Sequence, residues 1–281
     1  MAENKIQSCQ ARVRSNKEDA RNIFRLELEG CKMGIAKPGQ FVCLAPLDHS
    51  SAMARPFSIF FYDMFAGFLV IYYKAVGKNT ELMKSLQAGQ SIKLWGPLGN
   101  GISSDGIPRL PGELRKDISV PEGVTAWLIC GGMGFASLNL AIRELNQFYP
   151  RSVLFYGSKT KSEIVSLEKD PYRVKQEIIV ATEDGTAGYA GLVTDLFVQQ
   201  ILENPGKKIL VITCGPKPMM RKVAEICEGQ EFDCYVILET IMACGIGACL
   251  GCSIKTTKGM KRICHDGPVF DAKEVIWDEL A

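Results

Sequence analysis

Histidine is nearly absent from this chain: His49 and His265 are the only two among 281 residues. Imidazole is the usual proton carrier near neutral pH and a common metal ligand, so its scarcity argues against histidine-based catalysis. Neither histidine sits in a substrate-like motif, and no catalytic residue is assigned. Excess charge is missing too, with 33 basic against 31 acidic residues and a net charge of +2. Without a basic run, no field would draw nucleic acid or an anionic membrane. The first twenty residues are polar and charged, lacking the apolar core of a secretory signal. One charge-free run, 123–142, reaches membrane-spanning length, but it holds four glycines with Thr125, Ser137 and Asn139. It reads as strand, turn and helix. The expectation is a cytoplasmic protein with no nucleic-acid or membrane partner.

What is present describes an ordinary globular protein, 47% apolar and 23% charged, with length for two or three domains. Cysteine is plentiful and uneven. Cys9, Cys31, Cys43, Cys130 and Cys214 are scattered, whereas six of the eleven fall between Cys227 and Cys264. Cytosolic thiols rarely persist as disulfides, so the scattered cysteines are expected to be reduced, mostly as small buried hydrophobes.

The pattern changes style twice along the chain. Residues 1–101 alternate with period two between Pro/Gly turns, with a helix-like interruption near Thr80, which predicts a small antiparallel β-barrel. Residues 102–123 are rich in proline, glycine and charge and read as a linker. From 124 to 231, apolar strands alternate with helical stretches, the pattern of a parallel α/β sheet. Residues 232–281 are turn-rich, cysteine-rich and too short to build a core unaided, so a metal centre is expected to supply the missing stability. The expected fold class is therefore multidomain α+β: barrel, parallel α/β domain and small C-terminal module.

Cys244, Cys249 and Cys252 form C-x4-C-x2-C, and Cys264 follows after eleven more residues. The first three match plant-type 2Fe-2S spacing. Gly245, Gly247 and Gly251 let the chain wrap an inorganic core and aim backbone N–H groups at the sulfurs. Four cysteines can also hold zinc, but zinc sites usually show two short Cys-x-Cys knuckles, and here one half is a lone cysteine. Cys227 and Cys234 fall outside the spacing and read as core.

Arg55-Pro56-Phe57-Ser58 follows the first strands. In a barrel, Arg55 can clamp a pyrophosphate and Ser58 can bond a flavin ring, with Pro56 stiffening the edge. Tyr72-Tyr73-Lys74 leads through Gly77, Asn79 and Thr80 into a helix whose N-terminus can take a phosphate, or can be a cap with no ligand. Gly131, Gly132 and Gly134 sit in a strand-to-helix turn that suits a dinucleotide, although Ser137 replaces the third glycine of the fingerprint. Asp184 and Cys214-Gly215-Pro216 follow later strands, so all three turns fall where parallel sheets bind ligands.

Read together, the chain resembles the ferredoxin–NADP reductase superfamily, and within it the electron-transfer subunits of class B dihydroorotate dehydrogenases. The resemblance runs in order through the stretches at 38–42, 55–58, 96–101, 214–219, 242–252 and 266–271. It implies a barrel binding FAD at Arg55–Ser58, Tyr72–Lys74, Asn79 and Thr80. It also implies an NAD site lined by Gly131–Gly134 and Cys214–Pro216, and a 2Fe-2S module facing an FMN-containing catalytic subunit in a heterotetramer. There are departures. Ser137 stands where the family usually has proline, which is expected to loosen that turn, and the segment before residue 124 is long. Ser158-Lys159-Thr160-Lys161 follows the second α/β strand with no acidic residue immediately beside it, which keeps NADP open beside NAD. Two other readings remain: a related NAD(P)H reductase subunit serving a ferredoxin or sulfide dehydrogenase, and a non-enzymatic zinc-binding interaction module.

Overall fold

The computed structural model describes residues 6–47, 54–102, 124–146, 152–173 and 175–280. His49 and the expected linker, Ile102 excepted, lie outside them.

The first unit is an antiparallel sheet of β1 (Gln7–Ala20), β2 (Ile23–Glu29), β3 (Phe41–Ala45), β4 (Arg55–Ser58), β5 (Phe61–Asp63), β6 (Phe68–Lys74) and β7 (Ser91–Leu98), with α1 (Lys78–Lys84) before β7. Its order is β4-β3-β7-β1-β2-β6-β5. The two edge strands are separated in sequence by only Ile59 and Phe60, whose N–H groups bond to Gln40 O at 3.2 Å and Val70 O at 3.1 Å. Two residues thus tie one edge to the other, and the sheet curves into a half-barrel. Period-two alternation in β2 sends Phe24, Leu26 and Leu28 to one buried side, while Ile23 is buried on the opposite face.

The second unit contains β8 (Val124–Gly131), α2 (Phe135–Leu145), β9 (Val153–Ser158), β10 (Glu177–Thr182), β11 (Tyr189–Ala190), α3 (Val193–Glu203), β12 (Lys208–Cys214), α4 (Lys217–Gly229) and β13 (Asp233–Ile237). The charge-free run is therefore strand, turn and helix. Among the described residues, no helix is long and apolar enough to cross a membrane. Helices cover both faces of the sheet. Ala126, Leu128 and Cys130 of β8 pack with α2, while Trp127 and Ile129 pack with α3 and α4.

The C-terminal segment adds the hairpin β14 (Ser253–Thr256) and β15 (Gly259–Arg262), then β16 (Val269–Asp271). It is not a free-standing module. The segment expected from residue 232 begins with β13, which pairs parallel with β12, and β16 pairs antiparallel with β13. Three stretches that carried the resemblance meet here. Gln40 Nε2 donates to Gly99 O at 2.7 Å, Asn100 bridges Pro268, and a Cβ on Gly39 would lie 2.6 Å from Val269. These residues join the two sheets.

The scattered cysteines divide. Cys43, Cys130 and Cys214 are buried free thiols, as expected. Cys9 and Cys31 instead form a disulfide. Antiparallel pairing of β1 with β2 brings their Cα atoms to 5.8 Å, within bridging reach, and spacing gave no sign of it.

The two sheets share one apolar layer of Ile23, Phe60, Val70 and Tyr72 against Leu128, Phe135, Leu154 and Tyr156. A buried ion pair crosses it. Arg25 Nε donates to Asp170 Oδ2 at 2.7 Å, Tyr72 Oη donates to the same oxygen at 2.6 Å, and Tyr172 N–H bonds Asp170 Oδ1 at 2.8 Å. Burial, then the bond to Asp170, pushes the Tyr72 hydroxyl well above the usual phenol range, so it remains a donor. Replacing Asp170 with alanine leaves a largely buried guanidinium short of a partner and is expected to cost about 3 kcal/mol. Tyr72→Phe should cost about 1 kcal/mol. Urea denaturation of both variants measures the difference.

Candidate functional site

A cavity of about 560 Å³ opens where β4 and β6 face α2 and the chain leaving β13. Arg55, Pro56, Phe57, Ser58, Tyr72, Tyr73 and Lys74 line it, as the sequence reading expected of a cofactor site. Their polar ends are partly committed. Tyr72 Oη is held by Asp170, Tyr73 Oη donates to Asn16 Oδ1 at 3.1 Å, and Lys74 Nζ pairs with Glu163 at 3.0 Å. These three therefore contribute rings and stems to the wall.

Arg55 also lines a second cavity, about 360 Å³, with Leu44, Met83 and Asn79. Gly77 caps α1 with exposed, extended backbone. Thr80 is spent locally. Its hydroxyl accepts from Val76 N–H at 3.0 Å and Gly77 N–H at 3.1 Å and donates to Gly77 O.

The glycine turns interlock at the C-terminal ends of neighbouring strands. A Cβ on Gly134 would sit 2.0 Å from Cys214 O, and one on Gly215 would sit 2.8 Å from Gly131 N. Gly132, at φ +54°, faces open space. Pro216 caps α4, and burial pushes the Cys214 thiol well up, so it is neutral. Asp184 is exposed beyond β10, and its carboxylate accepts from the Thr186 amide at 3.0 Å and hydroxyl at 2.6 Å. Those bonds hold it below the usual carboxylate range. The Ser158–Lys161 stretch gains acidic neighbours hidden by the sequence, because Glu183 N–H bonds Ser158 O and Asp184 N–H bonds Lys159 O.

The four expected cluster cysteines form two pairs. Cys252 Sγ and Cys264 Sγ lie 3.2 Å apart and buried, while the half-exposed Cys244 takes a hydrogen bond from the exposed Cys249. Backbone N–H groups aim at sulfur: Gly247 at Cys264 (3.1 Å), Cys264 at Cys252 (3.4 Å) and Ile246 at Cys244 (3.5 Å). Gly247, at φ +82°, makes this wrapping possible, since a Cβ there would meet His265 at 2.9 Å. Arg262 clasps the loop to the hairpin by donating to Gly247 O at 3.0 Å and to Asp266 Oδ2 at 3.1 Å. An all-thiol donor set, two pairs and converging N–H groups suit a two-iron cluster with two thiolates per iron.

Sequence reasoning missed several groups. Met242 and Glu239 line the cavity, and Cys244 follows Met242 by two residues, so one short segment joins cavity wall to cluster ligand. Ser137 does not loosen its turn. It is buried in the first turn of α2, with its Oγ 2.7 Å from Ser58 Oγ. A single glutamate or serine carries no motif, and only the chain path identifies these two.

Comparison with known proteins gives this architecture a class. The family model described as the oxidoreductase NAD-binding domain matches residues 128–225, and the iron-sulfur cluster binding domain of dihydroorotate dehydrogenase B matches 239–276, which holds all four cysteines. This is an iron–sulfur oxidoreductase of the ferredoxin reductase type, with an NAD-binding domain. Curated relatives named "Dihydroorotate dehydrogenase B (NAD(+)), electron transfer subunit" include one from Clostridium acetobutylicum, 36% identical over 92% of both chains. Another, from Caldanaerobacter subterraneus, is 32% identical over 95% of this chain and 98% of its own. The chain belongs to the family of dihydroorotate dehydrogenase B electron transfer subunits. Among solved structures, a chain of the NADH-dependent reduced ferredoxin-NADP oxidoreductase aligns at TM-score 0.80 and 25% identity, over 96% of this chain and 91% of that one. Neisseria gonorrhoeae ferredoxin NADP+ reductase, at TM-score 0.60 and 15% identity over 79% and 91%, shares the fold.

Burial raises the Cys244 thiol, but the N–H groups of Ile246 and Cys249 outweigh it and bring it down to about 6. Burial and Cys252 push Cys264 up to about 12. Cys244 is thus a thiolate above about pH 6, whereas Cys264 gives up its proton only to a metal. Iron and sulfide reconstitution of the apoprotein is expected to slow as pH falls through about 6, and to release protons, as followed by absorbance and a pH indicator. Cys264→Ser should abolish the cluster signal.

Proposed function

We propose that this chain carries electrons from the FMN of a dihydroorotate-oxidising partner subunit to NAD, through a 2Fe-2S cluster on Cys244, Cys249, Cys252 and Cys264 and an FAD in the large cavity. The observation carrying this reading is the segment 239–244, whose residues 239–242 line the cavity and which reaches the cluster ligand Cys244 two residues later. A volume of about 560 Å³ lined by Arg55, aromatic rings and Ser58 suits a flavin. Held there by Arg55 and Ser58, FAD would supply the exchange between single electrons and a hydride that a cluster alone cannot provide.

The chain's own residues have defined tasks. Arg55 belongs to both cavities and can clamp the pyrophosphate between them. Asn79 lines the far end. Gly131, Gly132, Gly134, Gly215 and Pro216 shape the strand ends where the nicotinamide nucleotide would lie, with Cys214 beneath. Gly77, Thr80 and Asp184 support their loops through backbone bonds. Acidic neighbours beside Lys159 favour NAD over NADP, since carboxylates suit a ribose hydroxyl and repel a 2′-phosphate. The cluster loop supports a protein partner: Ile246 and Leu250, flanking Cys249 in sequence, are exposed together with it. Assembly as a heterotetramer in the cytoplasm completes the reading, with the pathway being pyrimidine biosynthesis.

The likeness to the reduced ferredoxin-NADP oxidoreductase, together with Lys159 and Lys161, supports a second reading with a ferredoxin-type partner and NADP. Anaerobic purification with the co-expressed catalytic subunit separates the two. Dihydroorotate should reduce both flavins and the cluster, and stopped-flow reduction should be faster with NADH than NADPH. Reduction only by another donor, or faster with NADPH, would favour the second reading. The paired change Ile246→Asp with Leu250→Asp should weaken association at least tenfold while leaving the cluster absorbance intact, as measured by analytical gel filtration.

A further inference from the structure

Ser137 lies outside every stretch that carried the family resemblance, yet it closes a triangle in the cavity wall. Ser58 Oγ and Ser137 Oγ are 2.7 Å apart, and each lies 3.2 Å from Glu239 Oε1. The three residues come from β4, the first turn of α2 and the chain leaving β13. Ser137 is 1% exposed, so its own hydroxyl is held by protein partners and not by bulk water. Ser58 and Glu239 line the cavity.

The triangle has three edges but only two hydroxyl protons, because each hydroxyl donates once and a carboxylate only accepts, and the Cys214 thiol, 3.9 Å from the same oxygen, adjoins it as a weak further donor. In one pattern Ser137 donates to Ser58, and the Ser58 proton is free to turn into the cavity. In the other Ser58 donates to Ser137, which donates to Glu239, and the Ser58 lone pairs face the cavity. Switching between them rotates two hydroxyl protons and moves no heavy atom.

We infer that Ser137 is a positioning residue that lets Ser58 act as donor or acceptor toward the flavin as its redox state changes. A flavin ring nitrogen accepts a hydrogen bond when oxidised and carries N–H when reduced, so the group facing it must change sense. Without Ser137, Ser58 has Glu239 alone as a partner in the triangle. Its proton is then drawn to the carboxylate, which opposes donation to the oxidised ring. The inference rests on FAD occupying this cavity.

A double-mutant cycle of Ser137→Ala, Ser58→Ala and the pair, in the complex with its catalytic subunit, tests it. The readouts are the flavin absorption spectrum, the flavin midpoint potential and the rate of flavin reduction by NADH. Ser137→Ala is expected to lower the potential and shift the oxidised spectrum. It should slow reduction about threefold to tenfold, the scale of one net hydrogen bond. In the Ser58→Ala background it should change none of these. Additive effects, or a Ser137→Ala complex with native spectrum and potential, overturn the inference. Should Ser137→Ala lose its flavin, Ser137→Cys, similar in size but a weak donor, is read by the same criteria. A native complex that purifies with FMN but no FAD, as read by chromatography of the released flavins, defeats the FAD reading instead, which separates the two failures.

Discussion

The contact between the two sheets sets the position of everything else. Phe60, Tyr72, Phe135 and Tyr156 form a chain of rings with centroids 4.9, 5.1 and 5.3 Å apart, running from the curved antiparallel sheet into the parallel one. Such a layer fixes distance but tolerates sliding, because dispersion has little direction. Direction comes from Asp170, which holds Arg25 and Tyr72 of the other sheet at 2.7 and 2.6 Å. Breaking a buried pair is costly, so relative rotation of the sheets is costly as well. The large cavity lies along this seam, and both its walls inherit their spacing from it.

A second constraint is continuity of chain. β13 is a core strand of the parallel sheet, and the residues that follow it pass through the cavity wall before reaching Cys244. β16 then returns to pair with β13, which pins both ends of the cysteine-rich segment to one strand. A module too small to fold alone is thereby held by the larger sheet, and its position relative to the cavity is fixed through covalent bonds and a β ladder. The buried pair Cys252 and Cys264 faces this core, while Cys249 and its apolar neighbours face outward. That polarity suits a relay between a protein partner outside and a cofactor inside.

Legibility followed sequence distance. The cluster ligands were readable because C-x4-C-x2-C and its glycines are local turn chemistry, written in consecutive residues. The alternation of β2 and the strand–turn–helix of β8 and α2 were readable because periodicity is local too. Most of the residues proposed for the flavin lie in one cavity wall, although Thr80 serves its own helix and Tyr72 serves the seam between the sheets. The start of the last module was less legible, because β13 reads the same whether its neighbour is β12 or a new domain.

By itself the sequence determined the class of chemistry, the thiol donor set and the alternation that divides the chain into an antiparallel and a parallel unit. Only the tertiary structure decided which ordinary polar residues matter. Arg25 and Asp170 are 145 residues apart, Ser58 and Ser137 are 79 apart, and Ser137 and Glu239 are 102 apart. Cys9 and Cys31 likewise met through strand pairing. A hydrogen bond between a serine and a glutamate requires no special residue type and leaves no pattern along the chain. It exists because the path of the backbone brings the two together.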